Sequence, residues 1–199
     1  MFVAMTVKLD RREQILTVLA NELEKNLGSP ITTSSLANAV GFSEAALYRH
    51  FASKSKMFES LIDFAENSIF SSINSILTQD KDPIARCRKI IFLIFTFSER
   101  NPGVTRLLIS DVLLGENKKL RFQTTHFFER LETQIKQILR EANLSNDGPR
   151  PISDIDAVTN QILSYIEGKL GKFVRSEFKK KPIEHLDAQW EVMKNGFFR

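Results

Sequence analysis

The sequence is poor in the residues that cross-link or interrupt a chain. It has one cysteine, Cys87, in 199 residues, so no disulfide can form within the chain and a reducing cytoplasm is expected. Only eight Gly and six Pro are present, which favours a mostly helical protein. The longest apolar run, at 90–97, has eight residues, whereas a membrane-spanning helix needs about 20. These features predict a soluble protein without a disulfide framework.

Signatures of an enzyme are also missing. The three histidines, His50, His126 and His185, lie far apart, and no two are spaced as a helical metal pair would be. Neither G-x-S-x-G nor G-x-x-x-x-G-K-[ST] occurs. Cys87 lies between two arginines that could lower its thiol pKa, but a buried structural cysteine is favoured. We therefore expect no enzymatic activity, no metal and no cofactor.

The composition supports a hydrophobic core and a basic surface. Hydrophobic residues make up 42% of the chain, and the formal net charge is +4, which permits a nucleic-acid partner without requiring one. Apolar residues recur at helical spacing, as Ile15, Leu19 and Leu23 do after a predicted capping box of Asp10 and Glu13. The pattern predicts an all-α protein of about nine helices.

Two short helices follow the first one. Thr32 is a good N-cap for one helix, Gly41 marks a turn, and Ser43 is a good N-cap for the next. Two helices joined by a short turn that contains Gly form the helix-turn-helix pattern of DNA-binding proteins.

The second of these helices has distinct inner and outer faces. At 100° per residue, Ser43, His50 and Phe51 fall near Leu47 on the inner side, and the outward residues are Ala45, Tyr48 and Arg49. Such a face fits the major groove, where Arg49 could contact a guanine edge or a phosphate. The alternative is that a short helix of a helical bundle simply exposes these residues to water. The candidate DNA-binding residues are Thr32, Thr33, Ser43, Glu44, Ala45, Tyr48, Arg49, His50 and Lys54.

The segment ITTSSLANAVGFSEAALYRHFASKSKMFESLI, at 31–62, resembles the DNA-binding head of the TetR family of bacterial regulators. The resemblance implies a TetR-like fold with a helix-turn-helix head at 1–52 and a helical dimerisation and partner-binding domain at 53–199. Two further segments, SERNPGVTRLL and GKFVRSEFKKKP, extend the resemblance towards the members of this family that act in nucleoid occlusion.

That resemblance implies a protein that is cytoplasmic and associated with the nucleoid. It would bind palindromic chromosomal sites, with one or more dimers per site, and would inhibit assembly of the division ring by engaging the C-terminal tail of the tubulin-like GTPase FtsZ. The expected partner groove includes Phe64, Arg100 and Asn101, next to the apolar helix at 90–97. Alternatively, Arg100 caps its own helix and Asn101 only begins a turn.

A second reading of the same head remains, a ligand-responsive TetR-type repressor. Many TetR relatives hold a small apolar inducer in the middle of the chain, and eight of the 16 Phe lie between Phe64 and Phe128. A Phe-filled core is the favoured interpretation, so no small-molecule effector is expected.

The last two predicted helices carry a broad apolar face. Because an apolar face on a terminal helix needs a partner, we predict a two-fold dimer that is formed by a four-helix bundle. The residues expected in its interface are Ile162, Tyr165, Ile166, Phe173 and Trp190.

Overall fold

The computed structural model describes residues 10–27, 30–109, 118–144, 148–152 and 154–198. Within these residues the chain forms nine helices and no β-strand, and Pro151 and Phe198 form one isolated antiparallel bridge. The all-α prediction is confirmed. The helices are α1 Arg11–Lys25, α2 Thr33–Val40, α3 Glu44–His50, α4 Lys54–Gln79, α5 Pro83–Arg100, α6 Pro102–Leu108, α7 Lys118–Leu144, α8 Ile155–Arg175 and α9 Leu186–Phe197.

Local capping fixes where the first helices begin. Asp10 accepts a hydrogen bond from the backbone N–H of Glu13, and the Glu13 carboxylate accepts one from the backbone N–H of Asp10, so the predicted capping box at α1 is confirmed. Thr32 caps α2 in the same reciprocal way, and Ser43 caps α3 by accepting from the N–H of Ala46. These bonds satisfy amide groups that have no partner inside the helix.

Two helix ends have a clear local cause. α6 begins at Pro102, because proline is preorganised for the first helical turn. α8 ends at Arg175. The residues at 177 and 178 have φ angles of 53° and 61°, a left-handed conformation that terminates an α-helix.

The first compact unit comprises Met1–Glu66 and Arg100–Thr124. Within it, α1 packs against α2, α3 and α6. The apolar stripe of α1, Ile15, Leu19 and Leu23, is completely buried. This unit contains the expected head together with further residues of the chain, and the domain boundary at residue 52 stays a prediction.

The second compact unit comprises Asn67–Glu99 and Thr125–Arg199. Phenylalanines fill part of its interior: the ring of Phe127 lies 5.6 Å from that of Phe70, in edge contact. Phe95 is fully buried and its ring lies 5.5 Å from that of Tyr165. These contacts support the interpretation of the Phe-rich middle as core. Within the described chain, none of the helices combines the length and apolarity that crossing a bilayer requires.

Cys87 lies in the interior of this second unit. Its side chain is 1% exposed, and burial raises the pKa of its thiol to about 12. The charge of Asp82 raises that pKa further, and the guanidinium of Arg86, which donates to the carbonyl of Leu77 at 2.9 Å and to the carboxylate of Glu141 at 2.8 Å, lowers it. The expectation of a structural cysteine is confirmed.

Candidate nucleic-acid interface

The turn between α2 and α3 depends on one glycine. Gly41 has φ 77° and ψ 30°, a left-handed conformation that costs residues with a Cβ more than glycine. Its N–H bonds back to the carbonyls of Ala37 and Asn38, which closes α2, and the chain then enters α3 at its cap Ser43. α2 and α3 pack against each other, and Leu36 in α2 and Leu47 in α3 are fully buried. The helix-turn-helix prediction is confirmed in geometry.

The faces of α3 are those that the helical spacing predicted. Leu47 and Phe51 are buried, whereas Ala45, Tyr48 and Arg49 are exposed. Tyr48 keeps 46% of its surface exposed, which is high for an aromatic side chain. The outer face of α3 therefore exposes a small residue, a phenol and a guanidinium. Glu44 is also exposed in this helix.

Two predicted DNA-binding side chains from different helices meet at this surface. The hydroxyl oxygens of Thr33 in α2 and Tyr48 in α3 lie 3.2 Å apart. A hydroxyl can donate one hydrogen bond and accept others, so the pair can offer a donor to an anion while it fixes the tyrosine rotamer. The sequence placed both residues among the candidates but gave no sign that they contact each other.

Lys54 is anchored within the first unit. Its Nζ donates to the backbone carbonyl of Ile31 at 3.1 Å and lies 5.6 Å from the centre of the Phe58 ring. The ammonium is thereby held where α4 begins and next to the start of α2. A phosphate at this place would meet a cation and helix N-terminal amides together.

Arg11 and Arg12, which the sequence analysis passed over, also belong to this region. Arg12 donates from Nη1 to the carbonyl of His50 at 2.9 Å, and its guanidinium lies 4.3 Å from the centre of the Phe51 ring. Arg11 lies 5.4 Å from the ring centre of Phe42, which stacks on His50 at 6.4 Å. His50, a predicted DNA contact, is thus half-buried and packed. No local pattern could reveal a contact between residues so far apart in sequence.

An apolar cavity of about 180 Å³ opens between α1, α4 and α6 of the first unit. Phe64 and Asn101, two of the three predicted partner-binding residues, line it together. Arg100 is exposed and is not among the lining residues. The opposite wall comes from α1, through Leu16 and Ala20, rather than from the apolar run of α5.

The predicted dimer residues lie inside one chain. Ile162, Ile166, Phe173 and Trp190 are each at most 2% exposed. Tyr165 is half-buried, and its hydroxyl donates to Oε1 of Gln189 at 2.8 Å. The apolar face that suggested a second subunit is therefore covered by the chain's own side chains. The dimer stays a prediction, but apart from Tyr165 these side chains have almost no free surface with which to form it.

The ionisable residues of the described ranges show no sign of a metal centre. Among the residues that the structure describes, no three His, Cys, Asp or Glu side chains are grouped so that they could hold a metal ion. His185 has φ 62° and occupies the N-cap position of α9 without a side-chain capping bond.

Comparison with known proteins agrees with this architecture. Residues 29–61 match the family described as bacterial regulatory proteins, tetR family, and residues 81–197 match the tetracyclin repressor-like C-terminal domain of the SlmA-like type. The solved structure of the transcriptional regulator FadR from Bacillus subtilis in complex with stearoyl-CoA shares the fold, with a TM-score of 0.76 over 92% of this chain and 97% of that chain, at 15% identity. The chain belongs to the TetR family of bacterial regulatory proteins and, within it, to the group of nucleoid occlusion factors.

That second assignment rests on relatives of nearly equal length. The nucleoid occlusion factor SlmA of Shewanella sediminis is 52% identical over 94% of this chain and 94% of its own length. The protein of the same name from Shewanella baltica is 49% identical over 96% of this chain and 97% of its own length. The family is one of regulatory proteins, in keeping with the expectation that the chain is not an enzyme.

Proposed function

We propose that this protein is a nucleoid occlusion factor that binds palindromic chromosomal sites as a dimer and inhibits assembly of the FtsZ division ring over the nucleoid. The observation that carries the proposal is the exposed face of α3, on which Ala45, Tyr48 and Arg49 stand clear of the core. About half identity to SlmA proteins over nearly the whole chain supports the same function. A cytoplasmic, nucleoid-associated location is part of the proposal.

In this proposal the protein recognises DNA through contacts to base edges and through contacts to phosphates. Arg49 reads a base edge in the major groove, where a guanidinium can bind guanine with two hydrogen bonds. Tyr48, Thr33 and Lys54 bind phosphates and so fix the position of α3 on the duplex. Thr32 and Ser43 contribute mainly by capping the two helices that carry these groups.

FtsZ binding is assigned to the cavity between α1, α4 and α6. An extended tail with acidic and apolar residues needs an apolar floor with a cation near its rim. Phe64 and the apolar residues of α1 supply the floor, Asn101 supplies a polar group, and the exposed Arg100 supplies the cation. The volume of about 180 Å³ accepts an apolar side chain rather than a whole segment.

Binding of FtsZ with and without its C-terminal tail tests this assignment, measured by calorimetry with the DNA-bound protein. Phe64→Ala and Arg100→Asp should each weaken binding of the intact FtsZ at least about tenfold, because a buried apolar anchor or a charge-assisted bond is lost. Phe122→Ala is the matched control, since Phe122 is 67% exposed and lies outside the cavity lining. Full-strength binding by both the Phe64 and the Arg100 variant would place the partner elsewhere.

Genome-wide mapping of binding sites distinguishes nucleoid occlusion from ligand-responsive repression. Many sites that are scattered over the chromosome but absent near the replication terminus would support the proposal. One or two sites at promoters would instead support a repressor.

A further inference from the structure

We infer that Arg12 is a positioning residue for DNA recognition, which holds the C-terminal end of the recognition helix α3 from α1 without touching DNA itself. The inference rests on the proposed function. It deepens that function by assigning the orientation of α3, and hence sequence specificity, to a side chain outside the helix-turn-helix.

The recognition helix is too short to hold its own direction. α3 has seven residues, about two turns, and a helix of that length is unstable in water unless its neighbours support it. Its last carbonyls have no partners within the helix. Arg12 supplies one partner by donating to the carbonyl of His50 at 2.9 Å, and its positive charge lies where the helix dipole favours a cation.

The guanidinium is held from a second side as well. It lies 4.3 Å from the centre of the Phe51 ring, within the range of a cation–π contact. Phe51 is 2% exposed, so the ring is fixed in the core of the first unit. A planar group with two constraints, one hydrogen bond and one ring contact, restricts both the distance and the tilt of the end of α3.

The other end of this link is rigid too. Arg12 lies in the first turn of α1, inside the capping box that Asp10 and Glu13 form. The next turns of α1 bury Ile15 and Leu19 completely. The side chain therefore connects α3 to an anchored helix rather than to a loop.

Arg12 differs from two other connections to this region in one useful respect. The Thr33–Tyr48 contact and the Lys54 bond to Ile31 both involve side chains that are proposed to bind DNA. Replacing those residues removes a DNA contact and a support together. Arg12 separates the two roles, because its guanidinium is directed at the α3 terminus and the Phe51 ring.

The test uses the full chain and the palindromic duplex that the unchanged protein selects from a random-sequence library. Arg12→Gln should weaken binding to that duplex about 5- to 20-fold, and should weaken binding to a scrambled duplex much less. The slope of log K against log salt should stay as in the unchanged protein, because no phosphate contact is lost. Arg12→Lys, which keeps the charge and one donor but not the planar fork, should recover only part of the affinity.

Lys25→Gln is the matched charge control, since Lys25 is exposed at the far end of α1, and it should leave the specificity ratio unchanged. Circular dichroism establishes whether each variant is folded. If Arg12→Gln does not fold, binding by Arg12→Lys is the measurement that tests the inference. Unchanged specific binding by the folded Arg12 variants would overturn the inference. An equal loss of affinity for the palindromic and the scrambled duplex, together with a slope of log K against log salt that is smaller by about one, would also overturn the inference. That result would show that Arg12 contacts a phosphate. If the unchanged protein selects no duplex, the proposed function itself fails.

Discussion

At the scale of single residues, Arg49 is the side chain whose replacement should change what the protein reads. Arg49→Ala should cost about 1–3 kcal/mol of binding free energy on the preferred palindrome and relax the preference at one position of each half-site. Competition binding against all single-base variants of the site measures this. Lys25→Ala, which changes an exposed side chain at the end of α1 that is not a predicted DNA contact, is the comparison. An equal loss of affinity for every single-base variant of the site would mean that Arg49 binds a phosphate.

Lys54 should behave differently from Arg49. Lys54→Ala should weaken binding to all sequences alike and flatten the salt dependence, as expected for a phosphate contact. The bond from Nζ to the carbonyl of Ile31 adds a second effect, because its loss also frees the start of α2. Salt titrations of the variant should therefore show a smaller slope together with a lower unfolding midpoint. A variant with the original slope would exclude Lys54 as a phosphate ligand.

Cys87 should be inert in the folded protein. Because burial raises the pKa of the thiol to about 12, almost no thiolate forms at pH 8, and a thiol-specific reagent should react slowly until denaturant is added. The unfolded chain ionises this thiol at its ordinary pKa of 9.0, whereas the folded chain ionises it only near 12. The contribution of Cys87 to the free energy of unfolding is therefore lost as pH rises from 9.0 towards 12. Rapid labelling under native conditions would contradict the buried placement.

At the scale of elements, the contact between α1 and α6 ties the first unit together. Arg106, 5% exposed, donates to three carbonyls at the end of α1, those of Leu23, Asn26 and Leu27, at 3.0, 2.8 and 3.1 Å. Gly103 lies against the backbone of Ala20 so closely that a Cβ at 103 would overlap the carbonyl oxygen. The two backbones therefore approach as only glycine allows.

Gly103→Ala should consequently destabilise the protein by more than about 2 kcal/mol, because α6 must move away from α1. Gly168→Ala in α8 is the matched control. A Cβ there meets nothing within 4 Å, so the higher helix propensity of alanine should stabilise the fold by about 0.5–1 kcal/mol. Urea unfolding at one protein concentration compares the two. Similar midpoints for both variants would mean that α6 adjusts without cost.

At the scale of the whole molecule, the proposed dimer must use side chains that one chain leaves exposed. Val192 on α9 is 75% exposed and is the strongest candidate, whereas Trp190 two residues earlier is 1% exposed. Val192→Glu should shift the protein to monomer in sedimentation at micromolar concentration and abolish binding to the palindrome. Leu144→Glu, which changes a side chain that is 83% exposed on α7, should leave the dimer intact. A dimeric Val192→Glu protein would move the interface away from this face of α9.

Trp190→Ala should have a different outcome. It removes a fully packed ring from the core of the second unit, so it should lower the free energy of unfolding by about 3–5 kcal/mol before any effect on association. Thermal unfolding at two protein concentrations distinguishes a loss of core packing from a loss of association. A variant as stable as the unchanged protein would show that Trp190 is not a core residue.

The amino-acid sequence by itself determined the elements and their local geometry. Capping at Asp10, Thr32 and Ser43, a turn at Gly41, and the inward direction of Leu47 were all predicted and are all observed. Each depends on bonds over three or four residues or on the period of a helix, and such short-range relations can be read along the chain.

Only the tertiary structure decided which elements cover each other. The period of α8 revealed an apolar face but could not tell whether a second subunit or the same chain buries Ile162. The link from Arg12 to His50 spans 38 residues and joins a side chain to a carbonyl, which leaves no pattern in the sequence. Burial and long-range hydrogen bonds depend on how whole elements pack, and the spacing of residues along one element does not contain that information.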